Sequence, residues 1–310
     1  SCLVSFSEDG RVHIGSYRKS GMPGVRSEVS AREFFGALAD EVEPLIDRSD
    51  RIGFCFSYAA RITAGHDGIP ISFSKEVKAP EVVGMPVGAS LLAELSRRGH
   101  DVARTRVSVV NDTVATLLAG KAAPGSSYGG YVGFILGTGT NTAYVEQTAN
   151  IGKLDRLATD TMVINVESGG FDLVPGELDR RFFDSTKDPA AHHFEKMISG
   201  AYLGPFSELV IRQAIAEGLC SETFANLFET ITPLDTKRMS HYLEMPHNEE
   251  YDLVRCVRQK EDAVALSMIL DAIIARAAKL TAVNLSAVVL KSGSGMDEGH
   301  PVCINADGTT

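Results

Sequence analysis

Asn111-Asp112-Thr113 follows the apolar run Val107-Ser108-Val109-Val110, at the point where a strand pattern gives way to a helical one. A carboxylate beyond the carboxyl end of a strand can serve as a general base or a metal ligand. The same residue can instead cap the helix that follows. Gly137-Thr138-Gly139-Thr140-Asn141 lies between two strand-like runs. Glycines allow a backbone to approach phosphate closely, and threonines add hydroxyl donors. A hairpin turn needs the same glycines. No Gly-Lys-Ser/Thr follows, so this is not a Walker A loop, and the third glycine of a dinucleotide fingerprint is missing. Ile164-Asn165-Val166-Glu167-Ser168-Gly169-Gly170 ends a strand at a carboxylate followed by flexible glycines. Glu167 is suited either to accepting hydrogen bonds from sugar hydroxyls or to a solvated loop. Ser57 follows a strand, and Ser74-Lys75 lies in an irregular stretch. Lys75 is suited to substrate oxygens or phosphate, or to solvent. His192-His193 has no partner at metal-ligand spacing, HExxH and GxSxG are absent, and no residue is assigned to a metal or to nucleophilic catalysis.

These residues need elements to carry them. Ser30-Ala31-Arg32-Glu33 is a capping box ahead of Phe34, Phe35, Leu38, Val42 and Leu45, which predicts a helix over 30–47. Ile52-Gly53-Phe54-Cys55-Phe56 reads as a buried strand. From Ser57 to Pro86 the chain is polar and punctuated by Gly and Pro, with a short strand expected at Ile71-Ser72-Phe73. So long an irregular stretch is often functional. A helix is expected over 88–98, closed by Gly99 in the C′ position. A strand over 107–110 and a helix over 112–120 follow. Further strands are expected at 131–136, 142–146 and 162–165. Beyond residue 190 the pattern turns mostly helical, with a long periodic stretch from Asp262 to Leu290. The alternation of strands and helices indicates an α/β protein.

The 310 residues are 44% hydrophobic and 23% charged, which excludes a disordered, collagen-like or coiled-coil chain. No apolar run approaches the roughly 18–20 residues of a membrane span. The net charge of −10 lacks the basic footprint of a nucleic-acid binder. Cys2, Cys55, Cys220, Cys256 and Cys303 are odd in number and form no CxxC pair. That argues against a disulfide framework and a structural zinc site, and for a reduced, cytoplasmic compartment. The chain is expected to begin inside a sheet, with a hairpin whose turn is Glu8-Asp9-Gly10, and to stop at a turn after Val302-Cys303-Ile304. Both ends read as cut.

In combination these segments resemble the hexokinase family of ATP-dependent sugar kinases. The resemblance is carried, in chain order, by Gly53-Phe54-Cys55-Phe56-Ser57-Tyr58, Ser74-Lys75, Asn111-Asp112-Thr113-Val114, the run from Gly133 through Asn141, Asn165-Val166-Glu167, the run from Phe194 through Gly204, and Ala306-Asp307-Gly308-Thr309. It implies the two-domain α/β fold of actin-like ATPases and sugar kinases with a central cleft, with a small domain over 1–110 and a large domain over 111–310. It implies a hexose, most simply glucose, and MgATP as partners, with ATP and Mg2+ as the cofactors. Asp112 is then the base for the sugar 6-hydroxyl. Ser57, Ser74, Lys75, Asn111, Asn141 and Glu167 hold sugar hydroxyls. Gly137, Thr138 and Gly139 cradle phosphate, and Asp307, Gly308 and Thr309 lie by the nucleotide. The family's Asp-Leu-Gly-Gly-Thr-type hairpin is expected ahead of Ser1. The family glutamate that follows Leu-Gly is here Pro205, with Glu208 a possible substitute. That replacement leaves room for a second expectation, a non-catalytic hexose-binding regulator on the same fold.

Overall fold

The computed structural model describes residues 1–73, 77–123, 128–153 and 159–309. Internal contacts divide the chain into two compact units, Ser1–Ser127 and Tyr128–Thr310. The contacts therefore group the helix after Asn111 with the first unit, whereas the domains expected from the resemblance were 1–110 and 111–310.

In the first unit, β1 (Leu3–Phe6) and β2 (Val12–Gly15) form an antiparallel hairpin. Helix α1 (Ala31–Val42) starts at the expected capping box: the Ser30 hydroxyl accepts the Glu33 N–H, and the Glu33 carboxylate accepts the Ser30 N–H. The helix expected to reach 47 tightens into a 3-10 turn over Glu43–Arg48, where Pro44 has no N–H to continue the α-helical ladder. β3 (Arg51–Cys55) pairs in parallel with β6 (Arg106–Val110). β3 is not the buried strand its apolar sequence suggests. Ile52 and Phe54 are half-buried while Arg51, Gly53 and Cys55 are exposed, because among the described residues β6 is its sole sheet neighbour.

The irregular stretch holds a small hairpin, β4 (Ala60–Ile62) with β5 (Gly68–Pro70). The strand expected at Ile71–Phe73 thus forms three residues earlier. Pro70 cannot donate to the ladder, and Ile71 N–H makes one last bond to the Ala59 carbonyl, at 2.8 Å. Phe73 instead joins a ring cluster with Phe34, Phe56 and Tyr58. Helix α2 (Val87–Arg97) has no cap of its own, since Pro86 precedes it. Asp67 supplies one from the β4–β5 turn, accepting the N–H groups of Gly88 and Ala89 at 2.6 and 2.9 Å. Gly99 closes α2 with φ +97°, as its C′ placement predicts. Helix α3 (Asp112–Ala122) follows β6. Phe34, Val82, Leu91 and Leu95 are fully buried at the centre of this unit. Each such side chain stabilises the fold by roughly 1.5–3 kcal/mol.

The second unit has a four-stranded sheet in the order β10-β7-β8-β9. β7 (Gly130–Leu136), β8 (Thr140–Gln147) and β9 (Thr161–Asn165) run antiparallel in sequence, and β10 (Val302–Asp307) returns parallel to β7. Between β9 and β10 come α4 (Glu177–Asp184), α5 (His193–Ile198), α6 (Gly200–Ala216), α7 (Glu222–Glu229), α8 (Thr236–Glu244), α9 (Asp252–Cys256) and the 33-residue α10 (Lys260–Ser292). α10 contains neither Gly nor Pro, is rich in Ala and Leu, and stops at Gly293 with φ +66°. Its Leu266, Leu270 and Ile273 enter the helical core around Phe224 and Phe228. Farther along, Val288 packs on Val132 and Tyr144 of the sheet. No helix among the described residues is long and apolar enough to cross a membrane.

Candidate functional site

Two groups of candidate residues emerge, one in each unit. In the first unit the parallel register sets Cys55 opposite Val110, so β3 and β6 end level with each other. Phe56 N–H adds one more bond to the Val110 carbonyl, at 2.8 Å. Ser57 and Asn111-Asp112 therefore leave the sheet side by side, beyond the carboxyl ends of its strands. Of the two roles open to Asp112, capping falls to Asn111. Asn111 has extended backbone angles and its Oδ1 accepts the Thr113 N–H at 2.9 Å. Asp112 is the first helical residue. Its Oδ1 accepts from the Thr113 N–H and hydroxyl at 2.8 and 3.3 Å, and its Oδ2 has no partner among the described residues. One oxygen thus holds the carboxylate in place and the other stays open to a proton or a ligand.

Cys55 reports on this neighbourhood. Although the residue is exposed, desolvation pushes its thiol up from the ordinary range, the Asp112 charge pushes it further, and the Ser57 hydroxyl opposes both. Ser57, Cys55 and Asp112 are therefore electrostatic neighbours. Ser74 and Lys75 lie outside the described residues.

In the second unit, Asn141 is the second residue of β8 and Asn165 closes β9. The register pairs Asn165 with Ala143, so Asn141 lies two residues on along the same sheet face. Their side chains meet: Asn141 Nδ2 donates to Asn165 Oδ1 at 2.9 Å. Both amides then converge on one oxygen of Glu167, Asn165 at 2.6 Å and Asn141 at 3.3 Å. Glu167 is exposed and holds left-handed backbone angles, φ 55° and ψ 45°. A non-glycine residue in that region costs of order 1–3 kcal/mol and tends to occur at functional positions. Its Oε2 has no hydrogen-bond partner among the described residues. The result is a carboxylate aimed by two amides, with an acceptor left over for a ligand hydroxyl. Asn165 was not singled out from the sequence, although the Asn-x-Glu spacing at a strand end contained the signal.

The Gly137-Thr138-Gly139 turn joins β7 to β8 and is held from behind. Gly200 N–H donates to the Gly137 carbonyl at 2.8 Å, and Ala201 N–H and Ser199 Oγ donate to the Thr138 carbonyl at 3.2 and 3.0 Å. The amino end of α6 thus takes the turn's carbonyls. The Thr138 and Gly139 N–H groups have no hydrogen-bond partner among the described residues, and Thr138 is exposed. Glu195, from α5, fastens the same turn by accepting the Thr140 N–H at 3.0 Å. A side chain at Gly139 would strike Glu195. Gly169, after Glu167, has the same constraint against Thr140 and Glu195. Glu195 sits within the Phe-Glu-Lys-Met segment of the resemblance, yet only the fold shows what it holds.

Asp307, Gly308 and Thr309 follow β10, which lies beside β7. Gly308 has φ +142°, and a Cβ there would overlap the Leu136 carbonyl. Gly137 in turn approaches Gly308 and Thr309. The two turns expected to touch nucleotide are therefore adjacent. Pro205 lies inside α6, and Glu208 has both oxygens engaged, by Arg212 at 2.9 Å and by the Leu234 N–H at 2.7 Å. Glu208 ties α6 to the 234 segment and is not open to a substitute role.

Comparisons with known proteins agree with this order of pieces. Two models described as hexokinase match residues 1–122 and 131–310. Hexokinase-7 of Oryza sativa subsp. japonica is 30% identical over 317 residues, covering 93% of this chain and 66% of the relative. The chain spans 54–66% of the length of three Oryza hexokinases. A hexokinase crystal structure superimposes with a TM-score of 0.75 at 26% identity, over 97% of this chain and 70% of that one. The glucose complex of the Schistosoma mansoni hexokinase gives a TM-score of 0.69 at 22% identity, over 96% and 76%, and shows the α/β sugar-kinase fold. With both halves matched in turn by its models, the chain belongs to the hexokinase family.

Proposed function

We propose that the protein moves the γ-phosphoryl group of ATP to the 6-hydroxyl of a hexose, with glucose the preferred acceptor. The observation that carries this is the Asn141–Asn165–Glu167 triad next to the clamped Gly137–Gly139 turn. A hexose presents a ring of hydroxyls, each both donor and acceptor. Two amides and a carboxylate, already fixed in direction, match such a ring at little further entropic cost. Asp112 Oδ2 takes the proton as the hexose O6 forms its bond to the γ-phosphorus and the bond to the β-phosphate oxygen breaks. Ser57 and Asn111 hold further hydroxyls, as do Ser74 and Lys75. The amides of Thr138 and Gly139 and the Thr138 hydroxyl take phosphate oxygens, with Asp307, Gly308 and Thr309 alongside the nucleotide.

Among the described residues no group of three His, Cys, Asp or Glu could hold a metal ion. Magnesium enters this reading as part of MgATP, carried on the phosphates and neutralising their charge. Five free thiols support action in a reducing cytoplasm, where the product would feed glycolysis.

The test is glucose-dependent ADP release from MgATP by this chain and by Asp112→Ala. Turnover in the parent that vanishes in the variant supports the assignment. Glucose binding with no ADP release, here and in a longer form of the protein, moves the reading to a hexose sensor. Pro205 and the engaged Glu208 are the observations that favour that second reading.

A further inference from the structure

We propose that Asn284, on α10, is a positioning residue for the hexose, acting through a buried polar chain and not by touching the sugar. This rests on the assignment of Asn141 and Glu167 as hexose ligands. Asn284 Nδ2 donates to Thr142 Oγ1 at 2.6 Å. Thr142 Oγ1 lies 3.1 Å from Ser168 Oγ. Thr142 is fully buried and Ser168 nearly so, while Asn284 is half-buried. The chain therefore links three separate elements: α10, strand β8 and the loop after β9.

Its position gives it a function. Thr142 follows Asn141 directly, and Ser168 follows Glu167 directly. The backbone N–H groups of these same two residues hold the Asn141 side chain, with its Oδ1 accepting from Thr142 at 2.7 Å and from Ser168 at 3.3 Å. Val166 N–H also donates to the Thr142 carbonyl, at 2.9 Å. Once Oδ1 is fixed, the direction of Asn141 Nδ2 is fixed too, toward Asn165 and Glu167. The two hydroxyls thus join the segments that carry the two ligands, and the Asn284 amide satisfies the joint. A buried hydroxyl deprived of its partner is costly, so the site would relax to find another. That relaxation would turn Asn141 and Glu167 away from a shared ligand.

Asn284→Leu keeps most of the side-chain volume and α10 helicity while removing the donor. Asn284→Asp keeps a partner: Thr142 can donate to the new carboxylate and Ser168 to Thr142, so the chain reverses and stays complete. Glucose affinity by calorimetry, KM for glucose and for MgATP, and Tm are measured for all three forms of the chain. The expected result for Asn284→Leu is about a tenfold loss in glucose affinity and a matching rise in glucose KM. The KM for MgATP should hold, and Asn284→Asp should recover most of the loss. A lower Tm in Asn284→Leu with unchanged glucose affinity overturns the proposal, since the amide would then only hold the helix down. Equal losses in both variants overturn it as well. If the parent chain and a longer form of the protein bind no hexose, the ligand assignment itself fails, a result distinct from a selective failure of Asn284.

Discussion

The two candidate groups are built on opposite plans. Asn141, Asn165 and Glu167 hold one another, and buried hydroxyls hold them from behind. Among the described residues, Asp112 is held by Thr113 alone and keeps one oxygen open. Groups that recognise a fixed pattern of hydroxyls gain from having their directions set in advance. A group that must accept a proton needs a free lone pair and a light tether. The supports differ as well. The second unit rests on a large apolar core of aromatic and aliphatic side chains from its helices. In the first unit, charge adds to a smaller core: Arg98 bridges Asp40 and Glu43, and Glu94 pairs with Arg97 and Arg98.

The largest effect expected from this contrast is on turnover. Asp112→Asn should cut kcat by roughly 10²–10⁴-fold, the usual share of a general base, with glucose affinity within about threefold of the parent. A variant that loses binding and not rate would break the contrast, because Asp112 would then be a ligand like Glu167. Next comes Glu167→Gln, which removes the charged acceptor that both amides address. Glucose affinity should fall by about 10–100-fold, as for a lost charge-assisted hydrogen bond, and kcat should fall much less. Steady-state kinetics with saturating glucose separates the two outcomes.

The smallest effect concerns the scaffold of the first unit. Hydrogen bonds from Arg97 first, with Arg98 adding to them, lower the Glu94 carboxyl from 4.5 to about 2. A lowered folded-state value means a contribution that is complete above pH 4.5 and disappears as the pH falls through about 2. Glu94→Gln should therefore cost about 1 kcal/mol or less near neutral pH, since Arg97 is well exposed to water. The gap in Tm between parent and variant should close on acidification from pH 4.5 toward 2. A gap that stays constant with pH would show that Glu94 acts through packing and not through charge.

Much of this was legible in the residues themselves, for local reasons. The capping box at Ser30 and Glu33, the Gly99 stop and the turn glycines at 137 and 139 each act within a few residues. Three expectations shifted for reasons that are themselves local. Pro70 ended the β5 ladder before Ile71, α1 gave way early to a 3-10 turn, and Asn111 took the cap weighed for Asp112.

Sequence alone determined most of the strands and helices up to β9, their order and the ligand types at strand ends, because alternation, capping and turn chemistry are read over short spans. It carried the Asn165-Val166-Glu167 spacing but not the fact that Asn141, 24 residues earlier, would complete the triad. Only the tertiary structure decided that, by setting β8 against β9 in one register. It also decided that Glu195 would reach back 55 residues to Thr140, and that Asn284 would reach 142 residues to Thr142. Such partners leave no local trace, since a buried hydrogen bond depends on what the fold brings within 3 Å and not on sequence distance.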